Sequence, residues 1–329
     1  MGVAGSYLAV RLSSMHHEVT GFERFTEESF DCVCAWGTSA PALAPYAAKC
    51  GLDFQKYVFH RGRSMYVKFG KVSTEVPLVG LVTFDKHRMV KDMQRGIDIR
   101  FGVMVRSKEE LKGYDLIVDA TAYRTLLPRI TGEIRVPSVQ YEVEYAEVPF
   151  DDFYIEIVEG MGGYLWYFPL TGKRAHVGAG DVNHTHLAVL SRFMKRNPGK
   201  KKKIVGRPIR LSSPSMCEPF FQGNVVGVGE CIGSVFPLLG EGIIPTMQCA
   251  ELLARNITDL ESYRRQVLKR YQIYDVAYDY VAANIRGRFV FPDYLLKMNE
   301  LGQYVIRNER RFGYRASSVE TLLKSRISL

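Results

Sequence analysis

Residues Gly223–Ile243, GNVVGVGECIGSVFPLLGEGI, decide the fold of this chain. An apolar strand, Val225–Val228, runs into Gly229-Glu230. A loop punctuated by Gly and Pro follows, and Gly240-Glu241-Gly242 then opens a helical run, Ile243–Ala254. Glycines at a helix start let backbone N–H groups approach an anion closely, and the helix dipole favours the negative charge. On its own the pattern marks a phosphate or cofactor loop.

The N-terminus supplies its partner. Gly2-Val-Ala4-Gly5 matches the second half of a G-x-G-x-x-G turn; Ser6–Ser14 suits the helix after it and Val19–Phe22 the next strand. Glu23 stands 18 residues beyond Gly5. That is close to the ~20-residue spacing at which an acidic side chain reaches a ribose hydroxyl in a dinucleotide-binding βαβ unit. The first glycine and first strand of such a unit would lie ahead of Met1, so the expectation is a start placed too late or a truncated chain. A helix start with incidental glycines is the alternative on these residues alone.

Between these two ends the texture alternates. Tyr114–Ala120, apolar apart from Asp115 and Asp119, reads as a parallel strand buried on both faces. Ala42–Cys50, closed by Gly51, and Lys86–Met93 read as helices, and Ile97–Val105 as a strand. Tyr66–Phe69 and Glu75–Thr83 read as accessory strands. Ser138–Tyr145 alternates strictly, placing Val139, Tyr141, Val143 and Tyr145 on one face and Gln140, Glu142 and Glu144 on a wet one. Phe153–Val158, Gly163–Pro169 and Arg174–Ala179 continue that sheet. Thr258-x-x-Glu261 forms a capping box, followed by Leu260, Tyr263, Val267, Tyr271 and Tyr274 at helical spacing.

The predicted architecture is α/β with an α+β insert. A Rossmann-like cofactor domain lacking its first strand takes 1–65, 84–135 and 211–256. An antiparallel-sheet substrate domain takes 66–83 and 136–210, and a helical region takes 257–329.

Composition narrows the context. The 329 residues are 47% hydrophobic and 24% charged, with no run of ~20 apolar residues and no signal peptide, so a cytoplasmic chain is expected. Six cysteines are too few for a disulfide framework here, Cys32-x-Cys34 lacks zinc-knuckle spacing, and no metal site is expected. His184-x-His186 reads as a surface pair. Net charge is +9, part of it in Lys195–Lys203. That run reads as a solvated loop after a helix or, at ~1 kcal/mol per basic residue, as a peripheral contact with an anionic inner membrane surface. No nucleic-acid motif accompanies it.

Glu23-Arg24, Asp115–Thr121 and the GVGE…PLLGEGI block occur in this order in FAD flavoproteins of the p-hydroxybenzoate hydroxylase type, which the chain resembles. Tyr164-Leu-Trp166-Tyr-Phe168-Pro169, eight residues, then Gly178-Ala-Gly180 resembles the YxWxFP-x8-GxG motif of geranylgeranyl reductases, the digeranylgeranylglycerophospholipid reductase-like family. Cys34-Ala-Trp-Gly37 resembles that family's C-x-x-G element. The resemblance covers roughly residues 1–255.

It implies FAD, held by Gly2, Ala4, Gly5, Glu23, Arg24, Gly37, Ala120, Thr121, Gly229, Glu230, Pro237, Gly240, Glu241, Gly242 and Ile243. It further implies reduction of C=C bonds in geranylgeranyl chains of archaeal-type phospholipid precursors, or of related prenyl compounds, by hydride from reduced flavin. Tyr164, Trp166 and Phe168 share one strand face. Either they pack a sheet core or, with Pro169, Gly178, Gly180 and Phe236, they wall an apolar channel. Such a channel would gain ~0.8 kcal/mol for each methylene it buries. Cys34 is expected near the flavin ring, as proton donor or pocket wall. The electron donor, ferredoxin or NAD(P)H, leaves no mark; no second dinucleotide fingerprint is visible.

Three positions depart from the pattern: Glu230 for Asp, Lys86 in place of an Arg, and Ala122 for Gly, tolerable if that turn keeps φ negative. The alternative functions are a flavin monooxygenase or halogenase of the same fold, and a truncated, flavin-free protein that binds prenyl lipid.

Overall fold

The computed structural model describes residues 1–287 and 293–316. The remainder of the expected 257–329 helical region, 288–292 and 317–329, lies outside the described residues. The chain opens with α1 (Val3–Ser13), β1 (Thr20–Glu23), β2 (Gly37–Ser39), α2 (Ala40–Lys49) and β3 (Val58–Arg61). β4 (Ser64–Phe69), β5 (Val72–Pro77), β6 (Leu81–Phe84), α3 (Lys86–Gln94), β7 (Asp98–Phe101) and β8 (Ile117–Asp119) follow. The middle holds β9 (Ile134–Val136), β10 (Ser138–Glu144), β11 (Phe153–Ile157), β12 (Gly163–Pro169), β13 (Arg174–Asp181), α4 (His186–Arg196), β14 (Lys200–Gly206) and β15 (Ile209–Leu211). β16 (Phe221–Gln222), β17 (Val225–Gly227), α5 (Ile243–Arg255), α6 (Leu260–Arg270), α7 (Ile273–Ile285), α8 (Asp293–Arg307) and the short α9 (Glu309–Phe312) complete it.

Parallel pairing marks one side of the molecule. β1 runs parallel to β7, Thr20 opposite Asp98, and β17 runs parallel to β8, Val225 opposite Ile117. Val225 and Val226 are buried, as strands covered on both faces require. The other side is a seven-stranded sheet in the order β14-β10-β13-β12-β11-β4-β5. All its pairs are antiparallel except β11 with β4, so the accessory strands extend the same sheet through one parallel join. One face of it is sealed by α4, whose Val189, Leu190 and Phe193 pack with Leu165, Tyr167, Val177 and Ala179.

Several local expectations need correction. The Glu75–Thr83 run divides at Val79-Gly80: β5 stays in the large sheet while β6 pairs with β2 and β3. The α6 cap is Asp259, whose Oδ1 accepts from Ser262 N at 2.8 Å, and not Thr258 one residue earlier. That helix ends at Arg270, so Tyr271 lies in a bend and Tyr274 in the next helix. The face of β10 read as wet is so only in part: Glu144 is exposed and Glu142 half-buried, but Gln140 is buried.

Lys200–Lys203 form an edge strand and not a loop. Lys201 Nζ lies 4.2 Å from the Tyr141 ring centroid, Lys202 pairs with Glu144 at 3.0 Å, and Lys203 with Asp31 at 2.8 Å. Charged side chains on an exposed edge block pairing with another chain. No helix among the described residues is long and apolar enough to cross a membrane.

Ala122 adopts φ +63°, against the expectation of a negative angle. The left-handed region costs an L side chain about 1–2 kcal/mol, of which glycine's greater freedom in the unfolded chain takes back about 0.5–1 kcal/mol. Ala122→Gly is therefore expected to raise stability by up to about 1 kcal/mol, read from the urea midpoint. A lower midpoint would mean that the lost methyl contacts outweigh the strain.

Candidate cofactor and substrate cavity

A cavity of about 1630 Å³ separates the parallel strands and α5 from the open face of the large sheet. That exceeds the roughly 300–1,000 Å³ typical of a site for one small ligand, so a large cofactor and a second molecule fit together. Its dinucleotide end is lined by Gly2, Ala4, Gly5, Glu23, Arg24, Ala120, Thr121 and Glu230, its middle by Pro237 and Gly240–Ile243. Cys34, Gly37, Tyr164, Trp166, Phe168 and Gly180 line the sheet end. Four expected residues stand behind the wall. Gly229 lets α1 and α5 approach, since a Cβ there would lie 3.0 Å from Ala4 Cβ. Phe236 is enclosed by the rings of Tyr274, Tyr304 and Phe312. Pro169 accepts a bond from Thr83 Oγ1 through its carbonyl, and Gly178 lies beneath Trp166.

At the dinucleotide end Glu23 closes β1. Its Oε1 accepts from Phe25 N at 3.0 Å, and its Oε2 meets the Met1 amine. Asp119, fully buried at the end of β8, accepts from Thr121 N at 3.1 Å and Leu126 N at 2.7 Å, which shapes the turn. Glu230 pairs with Arg207 at 2.7 Å. Arg207 and Arg24 flank the Tyr123 ring, 5.4 and 6.0 Å from its centroid, and both line the cavity.

In the middle, Gly240 N–H closes a turn onto Phe236 O at 2.9 Å, and Ile244 N–H is taken by Glu241 Oε1 at 3.2 Å. The amides of Gly242 and Ile243 have no hydrogen-bond partner among the described residues. Tyr164 Oη donates to Leu239 O at 2.8 Å, tying the sheet to this loop, and burial pushes its phenol up to about 12.

The sheet end is built in cross-strand rows. Tyr164 stands opposite Gly180, Trp166 opposite Gly178 and Phe168 opposite His176; on the far side of β13, Gln140 faces Gly178. Of the two glycines of the x8-GxG element, Gly178 is thus the floor on which the Trp166 ring lies, while Gly180 faces Ser138 and Val136. A Cβ at Gly178 would come within 2.2 Å of Trp166 Cζ2, and one at Gly37 within 2.4 Å of Phe168 Cε2. Trp166 Nε1 donates to Gln140 Oε1 at 3.1 Å, and Gln140 Nε2 donates to Cys34 O at 3.0 Å.

The Cys34 segment is held from several directions. Trp36 N approaches Cys34 Sγ at 3.4 Å, Trp36 Nε1 donates to Cys32 O at 3.0 Å, and His176 Nδ1 donates to Ala35 O at 3.3 Å. Burial lowers the His176 pKa, which keeps the imidazole neutral beside the Trp36 ring.

Four features escaped the sequence: Gln140, Arg207, Arg311 and the α7–α8 wall of Val281, Ile285, Leu301 and Val305. Only Gln140 left a signal, as the one amide among the glutamates of an alternating strand.

No protein-family model matches the chain. Among solved structures it is similar to a geranylgeranyl bacteriochlorophyll reductase-like protein from Thermoplasma acidophilum, with TM-score 0.67, 15% identity and 85% of each chain covered. It is also similar to a myxobacterial chondrochloren halogenase of the FAD-dependent type, with TM-score 0.63, 17% identity, and 94% of this chain and 88% of the other covered. The fold is that of FAD-dependent flavoproteins.

The residues present fit FAD. Besides the free amides of Gly242 and Ile243, two buried polar atoms on the cavity wall, Thr38 Oγ1 and Arg311 Nε, have no hydrogen-bond partner among the described residues. The chain is 31% identical over 145 residues to digeranylgeranylglycerophospholipid reductase 2 of Methanothermobacter thermautotrophicus, covering 41% of this chain and 37% of that one. It is 24% identical over 317 residues to digeranylgeranylglycerophospholipid reductase 2 of Methanopyrus kandleri, covering 82% and 79%. Across that first reductase and those of Methanocaldococcus jannaschii and Methanosphaera stadtmanae, the matched stretch spans 37%, 40% and 60% of the relative's length. In sequence the chain is similar to digeranylgeranylglycerophospholipid reductases, and in fold to FAD-dependent flavoproteins.

Proposed function

We propose that the protein saturates C=C bonds in geranylgeranyl chains of membrane phospholipid precursors or related prenyl compounds. The observation that carries this reading is the row of rings on one strand face: Tyr164, Trp166, which lies over Gly178, and Phe168 face the same cavity that Gly2, Gly5 and Gly242 line. Met65, Val67, Ile155 and Ile157 continue the ring-lined wall with aliphatic surface. An isoprenoid chain is recognised mainly by burial of its methylenes, and a preformed apolar wall suits that demand.

FAD bound in this cavity would supply the hydride for one alkene carbon. Gly2, Gly5, Glu23 and Arg24 would hold its ADP portion, with Arg207 adding positive charge and the Gly242 and Ile243 amides donating to the pyrimidine or ribityl oxygens. The rings align the alkene and exclude water. Cys34, fixed through its carbonyl by Gln140, places a thiol proton at the cavity wall for the second alkene carbon. Ferredoxin or NAD(P)H would reduce the flavin.

The test is anaerobic. Protein loaded with FAD is reduced under argon and mixed with a geranylgeranyl phospholipid precursor. Return of the oxidised-flavin band, with one hydrogen pair gained by the lipid per turnover, is the expected result. Return only when oxygen is admitted would overturn it in favour of the monooxygenase or halogenase chemistry of the fold's other members, and absence of bound flavin would overturn the enzyme reading.

A further inference from the structure

Arg311 is a cavity-wall cation that neither the dinucleotide end nor the ring-lined face accounts for. It stands on α9, well outside the stretch that carries the family motifs, yet its side chain is only 13% exposed. Nη2 donates to Tyr274 Oη at 2.6 Å and to Glu241 Oε2 at 3.1 Å, and Nη1 donates to Tyr304 Oη. The guanidinium lies 5.0 Å from the Phe312 ring centroid. Its Nε is buried and has no partner among the described residues.

Glu241 is the other half of the arrangement. One carboxylate oxygen meets Arg311 and the other accepts Ile244 N–H at the start of α5. Burial pushes its pKa up, against the pull of Arg311. A unit positive and a unit negative charge are thus fixed side by side on the wall formed by the Gly240–Ile243 loop.

We propose that Arg311 and Glu241 act as a paired electrostatic setting on the bound flavin, Arg311 raising its affinity for electrons and Glu241 attenuating that effect. The inference rests on the reading that the flavin ring lies against the Gly240–Ile243 loop. Reduction places added negative charge on the ring. In a water-poor cavity a fixed cation nearby favours the reduced form, and a fixed carboxylate opposes it. Arg311 is a positioning residue in this scheme: it also holds Glu241, and through it the loop. The C-terminal helices would then act on the flavin as well as on the apolar chain.

The experiment is a spectroelectrochemical titration of the FAD-loaded protein under argon, comparing wild type with Arg311→Met, Arg311→Lys, Glu241→Gln and the Arg311→Met/Glu241→Gln double variant. Arg311→Met is expected to lower the ratio of reduced- to oxidised-flavin affinity about tenfold, a fall of about 30 mV for a two-electron couple. Glu241→Gln is expected to shift the potential the opposite way, the double variant to return near wild type, and Arg311→Lys to keep the wild-type value. A merely structural pair would lower the thermal midpoint of each single variant without opposite shifts in potential. Shifts of the same sign, or none, in protein that still binds FAD overturn the inference and leave the flavin reading standing. Failure of the wild type to bind FAD overturns both.

Discussion

Glu251→Gln is expected to cost about 2–3 kcal/mol of stability at neutral pH, and the loss should shrink as the pH falls. Glu251 lies on α5 with only 6% of its surface exposed. Its carboxylate accepts from Tyr7 Oη at 2.8 Å, Arg11 Nε at 3.0 Å, Lys49 Nζ at 2.7 Å and Arg255 Nε at 2.9 Å. One carboxylate therefore fastens α1, α2 and α5, the elements behind the dinucleotide end. Burial alone would raise its pKa; the donors from Lys49, Tyr7, Arg11 and Arg255 outweigh burial and hold it at about 2.

A carboxyl whose folded pKa lies below its unfolded one adds stability above the unfolded value, and loses it as the pH drops from there toward the folded value. The shift runs from the ordinary 4.5 to about 2, so the window is about pH 4.5 to 2. At 1.36 kcal/mol per unit the full shift would be about 3.4 kcal/mol, reduced because Arg255 and Lys49 are partly exposed and screened. Urea titrations of both proteins should show a wide gap at pH 7, less than half of it at pH 3 and almost none at pH 2. A gap of constant size across that range would sink the ion-pair account.

How far the sequence told this story depends on the reach of each interaction. β12 falls at Gly163–Pro169, the bounds its alternating pattern predicts, and α3 and α5 lie within a residue of theirs, because alternation and helical spacing are local signals. The parallel join of β11 to β4 has no local signal: it links residues 153–157 to 65–69 and is settled only when the sheet closes. The lysines of β14 hid a strand, since charge at an edge reads the same as charge in a loop. The motif residues Trp166 and Gly178 were legible as a pattern, but not as a ring lying on a bare backbone. Arg311 and Glu241 were illegible together, because 70 positions separate two residues that meet only through the packing of α9 on the α5 loop.

Gly178→Ala is expected to remove nearly all prenyl reduction while leaving a folded protein of lower stability. The added methyl would stand 2.2 Å from Trp166 Cζ2 and 2.4 Å from Cε2, so the indole must move. It has little room, being 7% exposed and set edge-on against Tyr164 at 5.9 Å. Overpacking of this kind costs about 1–3 kcal/mol, and breaking the Trp166–Gln140 bond leaves buried polar atoms unpaired at about 1–3 kcal/mol more. The functional loss follows from the same row of residues. Once the indole leaves Gln140, the amide that holds the Cys34 carbonyl is free to turn, and ring wall and thiol lose register together. A misplacement of about 1 Å can cost roughly 10²-fold in rate, which anaerobic single-turnover reoxidation of the loaded protein would read directly. Trp166→Phe in the same chain supplies the control, because the smaller ring clears the new methyl. The double variant should recover most of the stability lost by Gly178→Ala but not the rate, since Phe cannot donate to Gln140. Recovery of both would mean that the ring acts only by filling space, and recovery of neither would place the damage in the β13 backbone and not in the row.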